Sequence, residues 1–559
     1  MLLWRDSATT EWAVRTNLWI VCGAVLLVAS VGTCGWAQSS TPCPRFPAGG
    51  TATQPDNLVG QSGVLSVAFT YQTRTDQNGN ILYCYTTQSG SQSPTLRVHP
   101  GDNLKITLQN LVPAPASSPA TGAMSGMTMA IPASSACGAA TMTAASTNIH
   151  YHGTNTPPVC HQDEVIHTMV NSGQTFAYDL QIPADEPPGL YWYHPHVHGI
   201  SEAAVQGGAS GALIVEGIEY VNPAVAGLPE QVLIIRDNPV PDDATPGGDV
   251  PENDVSLNYI PIPSPAYTPA AISMKPSEKQ FWRVLNASAD TIIDLQLTFD
   301  GVVQPLTVIA LDGVPTGSQD GTHMGTSLSE NDILLAPAAR AEFIVTGPAA
   351  AVKHAALSTL NVDTGPYGDY DPARPLARIV TSANAPEPPV TIPPVSGPLP
   401  AQRFAGLAAA LATTQRKLYF YENFAEPDNP RYFITVDGQP PLLFNPDNPP
   451  AIVTTQGAVE DWTIENRTLE NHEFHIHQLH FLVLAQNGVP LPAANQQFLD
   501  TVQVPYWPGT GPYPSVTVRM DFRGPITGEF VYHCHILNHE DHGMMAIIKV
   551  NPAPAAAAP

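Results

Sequence analysis

Residues 95–110 read TLRVHPGDNLKITLQN, an alternating strand, a Pro-Gly-Asp turn and a second alternating strand. Similar stretches recur at 272–288 (ISMKPSEKQFWRVLNAS) and 451–468 (AIVTTQGAVEDWTIENRT). Each contains an asparagine at the end of its second strand, and these lie 176 and 180 positions apart: Asn110, Asn286 and Asn466. Short alternating strands at a regular spacing are typical of β-sandwiches and barrels. The repeat predicts an all-β chain with three copies of one domain, each of about 170 residues.

Composition places the boundaries of these copies. A strand at 211–216 (GALIVE) ends the first copy, and the proline-rich stretch 385–400 leads into the third as a semi-rigid linker. A stretch rich in Ala, Ser and Met, 112–147, is predicted to be a surface loop inserted in the first copy. We therefore predict three domains, at residues 45–217, 225–384 and 401–552.

The chain has 559 residues and a formal net charge of −26. Nucleic acid and anionic membrane surfaces both repel a protein of that sign, so we expect neither as a partner. The 58 prolines and 42 glycines break helices and mark turns, which favours a loop-rich β protein. Neutral organic molecules and cations are compatible with this charge.

The first 37 residues are predicted to be a secretory signal peptide. Arg5 and Arg15 precede an apolar run at 18–32, and small residues follow up to Ala37, after which we expect cleavage. An uncleaved membrane anchor is the alternative, but about 15 apolar residues are short for a span of roughly 20. We therefore expect export to the periplasm or the extracellular space, without stable membrane insertion.

Four of the seven cysteines form an even set in the predicted mature chain: Cys43, Cys84, Cys137 and Cys160. Cys22 and Cys34 would leave with the signal peptide, and Cys534 lies between two histidines. An oxidising compartment allows three pairings of the four cysteines. We favour Cys43–Cys84 and Cys137–Cys160 because each pair joins neighbours in sequence.

Ten of the 18 histidines fall into four compact clusters: His150 and His152; His194 and His196; His472, His475 and His477; His533, His535 and His539. Residues i and i+2 of a strand point to the same face, so each His-x-His presents two imidazoles side by side. Two such pairs come from the first domain and two from the third. The site that they share must lie where those domains meet. Its eight imidazoles exceed the needs of one or two copper ions but suit three.

Cys534, in the middle of its His-Cys-His triplet, faces the opposite side of its strand and must serve a second site. With His472, His539 and Met544 it forms a His₂Cys set with a thioether, the ligand set of a blue-copper electron-transfer site. Zinc also takes Cys and His, but zinc cannot change oxidation state and would leave the adjoining cluster without a purpose.

At these residues the family becomes recognisable. Over residues 45–550 the sequence resembles the three-domain multicopper oxidases, the laccase-like enzymes with cupredoxin domains. All four copper motifs occur in the family's order, and HCHILNHEDHGMM (533–545) is very close to the fourth motif. The resemblance implies three cupredoxin-like Greek-key domains and four coppers per chain: one type 1, one type 2 and two type 3.

The same resemblance assigns ligands to each copper type. The type 1 site would use His472, Cys534, His539 and Met544. The type 2 copper would use His150 and His475. The type 3 pair would use His152, His194, His196, His477, His533 and His535. The middle domain has no His-x-His and no cysteine, so we expect it to hold no copper ligand.

Two positions depart from the family pattern. Glu473 follows the first type 1 histidine where the family usually has proline, which alters the local loop chemistry. His198 adds a third histidine to the second motif, so a shifted pair of His196 and His198 stays open as an alternative.

The resemblance implies one-electron oxidation of a donor at the type 1 copper, coupled to four-electron reduction of O₂ to two waters. Electrons would enter at His539 and pass through Cys534 to the three-copper cluster. The reaction consumes four protons, and Asp163 and Glu540 are the candidate proton relays. The alternative reading makes both of them solvated loop carboxylates.

We therefore predict a secreted, laccase-like oxidase of phenols or aromatic amines. A cuprous oxidase in copper tolerance is the first alternative, because soft thioethers that favour Cu(I) concentrate in the 112–147 loop: Met124, Met127, Met129 and Met142. A copper nitrite reductase would lack the type 3 pair, whose histidines are all present here. A copper-binding protein without catalysis is expected to have lost ligands, and none is missing.

Overall fold

The computed structural model describes residues 41–114, 137, 141–240, 250–318, 325–391, 403–426 and 430–554. Strands dominate these residues and the helices among them are short, which confirms the predicted all-β fold. The predicted signal peptide, most of the 112–147 insertion and most of the 385–400 linker lie outside the described residues. In the part of the chain that is described, no helix is long and apolar enough to span a membrane.

Residues 57–215 form a first pair of packed sheets. The strands are β1 Asn57–Val59, β2 Val64–Thr75, β3 Ile81–Thr87, β4 Thr95–Val98, β5 Asn103–Asn110, β6 His150–His152, β7 Thr175–Gln181, β8 Gly189–His194 and β9 Gly211–Val215, with helix α1 Ser201–Gln206 before β9. One sheet has the order β1-β4-β9-β8-β6 and the other β3-β2-β5-β7. Burial alternates along β2, β5 and β7, so each presents one apolar face to the core between the sheets.

Residues 230–381 form a second pair of sheets, preceded by a short helix α2 Ile218–Val221. The strands are β10 Glu230–Pro239, β11 Asn253–Leu257, β12 Ile260–Ile262, β13 Ala270–Met274, β14 Lys279–Asn286, β15 Ile293–Phe299, β16 Val302–Gln304, β17 Leu306–Leu311, β18 Val314–Pro315, β19 Leu328–Glu330, β20 Ile333–Leu335, β21 Arg340–Thr346, β22 Ala355–Thr359 and β23 Arg374–Thr381. The orders are β12-β11-β10-β14-β21-β17-β18, with β19 on β17, and β13-β23-β22-β15-β16, with β20 on β15.

Residues 414–551 form a third pair of sheets. The strands are β24 Thr414–Asn423, β25 Arg431–Val436, β26 Ile452–Thr455, β27 Val459–Asn466, β28 His472–Ile476, β29 Phe481–Gln486, β30 Val489–Pro490, β31 Phe498–Leu499, β32 Thr501–Val504, β33 Ser515–Asp521, β34 Gly528–Cys534 and β35 Met545–Asn551, with helix α3 Leu537–Asp541 before β35. The orders are β25-β24-β27-β33-β29-β30, with β31 on β29, and β26-β35-β34-β28-β32.

The repeated strand–turn–strand stretch has the same place in all three pairs of sheets. Its first strand belongs to one sheet and its second strand to the other: β4 and β5, β13 and β14, β26 and β27. In the first copy the turn is closed by the Asp102 carboxylate, which accepts a hydrogen bond from the His99 N–H at 2.8 Å. Gly101 takes φ +88°, a conformation that glycine adopts without a steric penalty. Each turn therefore carries the chain across the core.

The asparagine that ends each second strand makes the same contacts in each copy. All three asparagines are fully buried. In each, the amide nitrogen donates to two backbone carbonyls and the amide oxygen accepts from the N–H two residues on: Asn110, Asn286 and Asn466. The side chain thus satisfies loop backbone groups that would otherwise be buried without a partner. Asn286-Ala-Ser and Asn466-Arg-Thr match the Asn-x-Ser/Thr pattern of N-glycosylation. The buried contacts of their asparagines give both triplets a structural role and are incompatible with glycosylation.

The four paired cysteines confirm the predicted connectivity. Cys43 bonds Cys84, and Cys137 bonds Cys160. Cys534 is the free cysteine of the described residues, and it is fully buried.

Candidate metal centre

Strand pairing brings the predicted trinuclear histidines together. In the first pair of sheets β6 lies beside β8, with His150 opposite His194. In the third pair β28 lies beside β34, with His475 opposite His533. All eight side chains are buried. Each His-x-His therefore supplies two rings to one shared space.

The rings from the two ends of the chain interleave. The imidazoles of His150 and His477 stack with centroids 3.8 Å apart, and those of His152 and His475 stack at 3.9 Å. The His533 Nε2 lies 3.1 Å from His477 Nε2 and 3.3 Å from His196 Nε2. These distances leave room for small ions between nitrogens, and they place the site between the first and third pairs of sheets, as the spacing predicts.

The hydrogen bonding of these rings fits bound copper. The Nδ1 atoms of His475 and His533 donate to backbone carbonyls at 2.7 and 2.8 Å. The Nε2 atoms of several rings point inwards, buried and without a protein partner: His150, His152, His194, His475 and His535. Burial lowers the pKa of these imidazoles and keeps them neutral, with lone pairs free to bind a metal. This donor set suits copper ions held by imidazole.

The third histidine of the second motif lies apart from this cluster. The ring of His198 contacts Phe444, with centroids 4.8 Å apart, and its pKa is lowered to about 4 by burial. His194, by contrast, lies 5.4 Å from His150, centroid to centroid. The geometry thus favours His194 with His196 over the shifted pair.

Both predicted relay carboxylates contact cluster histidines. Asp163 accepts hydrogen bonds from His150 Nδ1 at 3.0 Å and from Gln478 Nε2 at 2.6 Å, and burial raises its pKa to about 8. Glu540 Oε2 lies 3.4 Å from His533 Nδ1, and burial raises the pKa of Glu540 well above its usual value. Neither carboxylate is exposed, so they are not solvated loop residues.

Two further residues support the cluster and had no sequence pattern to indicate them. The Asp500 carbonyl accepts the hydrogen bond from His475 Nδ1, and its carboxylate lies 3.6 Å from His152 Nδ1. Arg340, from the middle pair of sheets, donates two hydrogen bonds to the Asp500 carboxylate, at 2.8 and 2.7 Å. A Cβ on Gly153 would lie 2.5 Å from the Arg340 guanidinium, so glycine is required after His152.

The predicted type 1 ligands also converge. The Nδ1 atoms of His472 and His539 are 3.1 Å apart, and Cys534 Sγ lies 3.6 and 3.7 Å from them. Burial raises the pKa of the Cys534 thiol, so a thiolate here calls for a bound cation. Two lone pairs and one sulfur facing one point fit a copper ion.

Met544 and its neighbour Met545 face different surroundings. Met544 is buried in the same apolar cluster as Cys534, whereas Met545 packs with Val531 and Ile547 in another cluster. The location of Met544 is therefore compatible with the axial ligand position predicted from sequence.

We expect Met544→Leu to raise the type 1 reduction potential, because loss of the weak thioether ligand favours Cu(I). A redox titration that follows the blue absorption measures the shift, and Met545→Leu is the matched control that leaves the potential unchanged. A shift in the Met545 variant alone would contradict the assignment.

Other side chains cover the outer edges of the two predicted type 1 histidines. His472 Nε2 donates to Glu422 at 2.9 Å, and His539 Nε2 lies 3.4 Å from Glu470. The Tyr432 ring stacks on His539 with centroids 4.4 Å apart. His539 is consequently only 5% exposed. A molecule from solution would therefore meet the residues around His539 before His539 itself.

Comparisons with known proteins agree with this geometry. Two family models, both described as multicopper oxidase, match residues 141–219 and 414–554. The laccase of Bacillus subtilis (strain 168) is 24% identical over 402 residues, 65% of this chain and 71% of that protein. The McoA multicopper oxidase of Aquifex aeolicus superposes with a TM-score of 0.64 at 19% identity, over 90% of this chain and 99% of that chain. A multicopper oxidase from Campylobacter jejuni, described as a metallo-oxidase, gives a TM-score of 0.63 at 20% identity, over 91% and 96%.

Proposed function

Because this chain belongs to the multicopper oxidase family and is a copper-dependent oxidoreductase that uses O₂, we propose that it is an exported, laccase-like oxidase of phenols and aromatic amines. The observation that carries the choice of donor is a series of aromatic rings that leads from the surface to a type 1 ligand. Tyr367 is 60% exposed and Phe424 is 39% exposed. Their ring centroids are 5.6 Å apart, and Phe424 lies 6.0 Å from Tyr432, which stacks on His539.

Aromatic donors suit this surface. A phenol or aniline ring packs against exposed aromatic side chains through offset or edge-to-face contacts. Each ring in the series is in contact with the next, so an electron from a donor on Phe424 has a short path to His539. The Tyr367 segment belongs to the middle part of the chain, and its N–H donates to the Leu469 carbonyl at 3.3 Å. The middle domain thus forms part of the donor site although it holds none of the proposed ligands.

The protein's own groups position the coppers and manage protons. We propose four coppers, one type 1, one type 2 and two type 3, held by the ligands assigned above. Bound copper supplies one-electron transfer at the type 1 site and four-electron reduction of O₂ at the cluster. Cys534 connects the two sites, because the residues on either side of it in the chain, His533 and His535, both place their rings among the cluster histidines. Asp163 and Glu540 hold protons at their carboxyl oxygens beside His150 and His533.

Copper content and O₂ consumption on a phenolic donor test the proposal together. Four coppers per chain with turnover supports it. Copper without turnover would instead indicate a binding protein without catalysis.

We expect Phe424→Ser to raise the KM for a phenolic donor about tenfold, because an aromatic contact is worth up to about 1.5 kcal/mol. The value of kcat should change little, since the copper ligands are untouched. Phe46→Ser is the matched control: Phe46 is similarly exposed but lies in the first domain. A normal KM in the Phe424 variant would remove the aromatic surface from the donor site.

Cuprous oxidation is the second candidate function. The Glu422 carboxylate contacts the outer nitrogen of His472, and a carboxylate attracts metal cations. The loop with Met124, Met127 and Met129 lies outside the described residues, although Met142 is described and exposed. The observed aromatic series makes phenolic donors the first choice.

We expect deletion of residues 118–134 to leave phenol oxidation nearly unchanged and to lower Cu(I) oxidation only modestly. Soft thioethers bind Cu(I), but the loop belongs to the first domain and the type 1 ligands to the third. Parallel initial rates with a phenol and with Cu(I) measure both effects. Loss of Cu(I) oxidation alone would make metal oxidation the specialised activity.

Export is part of the proposal. Two disulfides are typical of an oxidising compartment, which supports a periplasmic or extracellular protein.

A further inference from the structure

Glu473, the residue after the first proposed type 1 histidine, directs its backbone N–H towards the Cys534 sulfur. The N–H of Glu473 donates to Cys534 Sγ, with nitrogen and sulfur 3.4 Å apart. The carbonyl of Glu473 accepts from the His535 N–H at 2.7 Å. Both backbone groups of Glu473 therefore face the end of β34, where Cys534 lies.

This N–H has no other function in the sheet. Glu473 is paired with Gln503 of the neighbouring strand β32. In a strand, however, the N–H and the C=O of one residue point towards the same neighbouring strand. Because the carbonyl of Glu473 faces β34, its pair with Gln503 is one without backbone hydrogen bonds. Loss of the Glu473 N–H would consequently remove the contact with sulfur and leave the β28–β32 ladder intact.

We propose that the Glu473 amide is a positioning group for the type 1 site, which holds Cys534 Sγ towards His472 and His539 and raises the reduction potential. A hydrogen bond to a thiolate draws electron density away from the metal–sulfur bond, which favours Cu(I) over Cu(II). Hydrogen bonding around the cysteine sulfur is a recognised means of tuning blue-copper potentials.

The inference rests on the type 1 site of the proposed function and adds a role for a residue that is not a ligand. Proline at this position would have no N–H to donate. The chain therefore has one more hydrogen bond to its thiolate than a proline-containing version would have.

Two variants separate the amide from the side chain. Glu473→Pro removes the N–H, whereas Glu473→Gln keeps the N–H and the length of the side chain but removes the carboxylate. Both are loaded with copper, and the reduction potential and the position of the blue absorption band are measured. We expect Glu473→Pro to lower the potential and to shift the band relative to Glu473→Gln. A potential in Glu473→Pro equal to or above that of Glu473→Gln overturns the inference.

A second measurement covers the case in which the proline variant fails to fold. In a crystal structure of the copper-loaded wild-type protein, we expect the Glu473 nitrogen within hydrogen-bond distance of Cys534 Sγ. An amide that points away from the sulfur overturns the inference. The failure of the proposed function looks different, since a wild-type protein without any blue band has no type 1 copper.

Discussion

Cys534→Ser is expected to abolish the blue absorption and to stop donor oxidation. The colour of such a site comes from charge transfer between the thiolate and Cu(II), and a serine hydroxyl cannot provide it. Cys534 is also the covalent connection between the proposed type 1 site and the cluster histidines on either side of it. Visible absorption, copper content and O₂ consumption measure the three consequences.

The variant should keep its trinuclear copper. Several cluster imidazoles are held by hydrogen bonds of their Nδ1 atoms, and none of these bonds involves the Cys534 side chain: His150, His475 and His533. We therefore expect loss of one copper per chain while the cluster remains filled. A Cys534→Ser protein that stays blue would disprove the type 1 assignment.

Arg340→Met is expected to destabilise the copper-free protein by about 3–5 kcal/mol, because it leaves the buried Asp500 carboxylate without its cation. Arg340 also donates to the Leu190 carbonyl at 3.1 Å, so it joins residues from all three pairs of sheets. His152 and His475 should lose their alignment at the same time, since Asp500 contacts both. Urea unfolding and copper stoichiometry measure the two effects.

Arg431→Met is the matched control for this variant. Arg431 pairs with Glu426 at 3.0 Å on the surface, and exposed ion pairs contribute at most about 1 kcal/mol. Equal unfolding midpoints for the two variants would show that Arg340 does not hold the three parts of the chain together.

The predicted ligand set depends on one local rule. In a strand, residues two apart share a face, so His-x-His and His-Cys-His can be assigned to faces before any tertiary contact is known. The same rule separates Cys534 from His533 and His535. Strand pairing then places these faces together, as between β28 and β34.

No local rule of this kind predicts the contacts between residues that are far apart in the sequence. Arg340 and Asp500 are 160 residues apart, and no spacing in the sequence links an arginine of the middle domain to the cluster. The cover over His539 likewise depends on where Tyr432 of β25 and Glu470 lie once the chain has folded. The expectation that electrons enter at His539 says nothing about this cover, since a local sequence pattern does not show how far a residue lies below the surface.

The sequence alone predicted the candidate metal ligands, the side-by-side spacing of their rings and the three similar β units that carry them, because histidine spacing, the copper motifs and strand alternation are all properties of a few neighbouring residues. The tertiary structure alone decided what surrounds the ligands: the Arg340–Asp500 pair, the aromatic series that ends at Tyr432, and the Glu473 amide on the Cys534 sulfur. These depend on packing between distant segments and on the direction of backbone groups. An N–H that reaches a thiolate does so through strand geometry, which the identity of its own side chain does not encode.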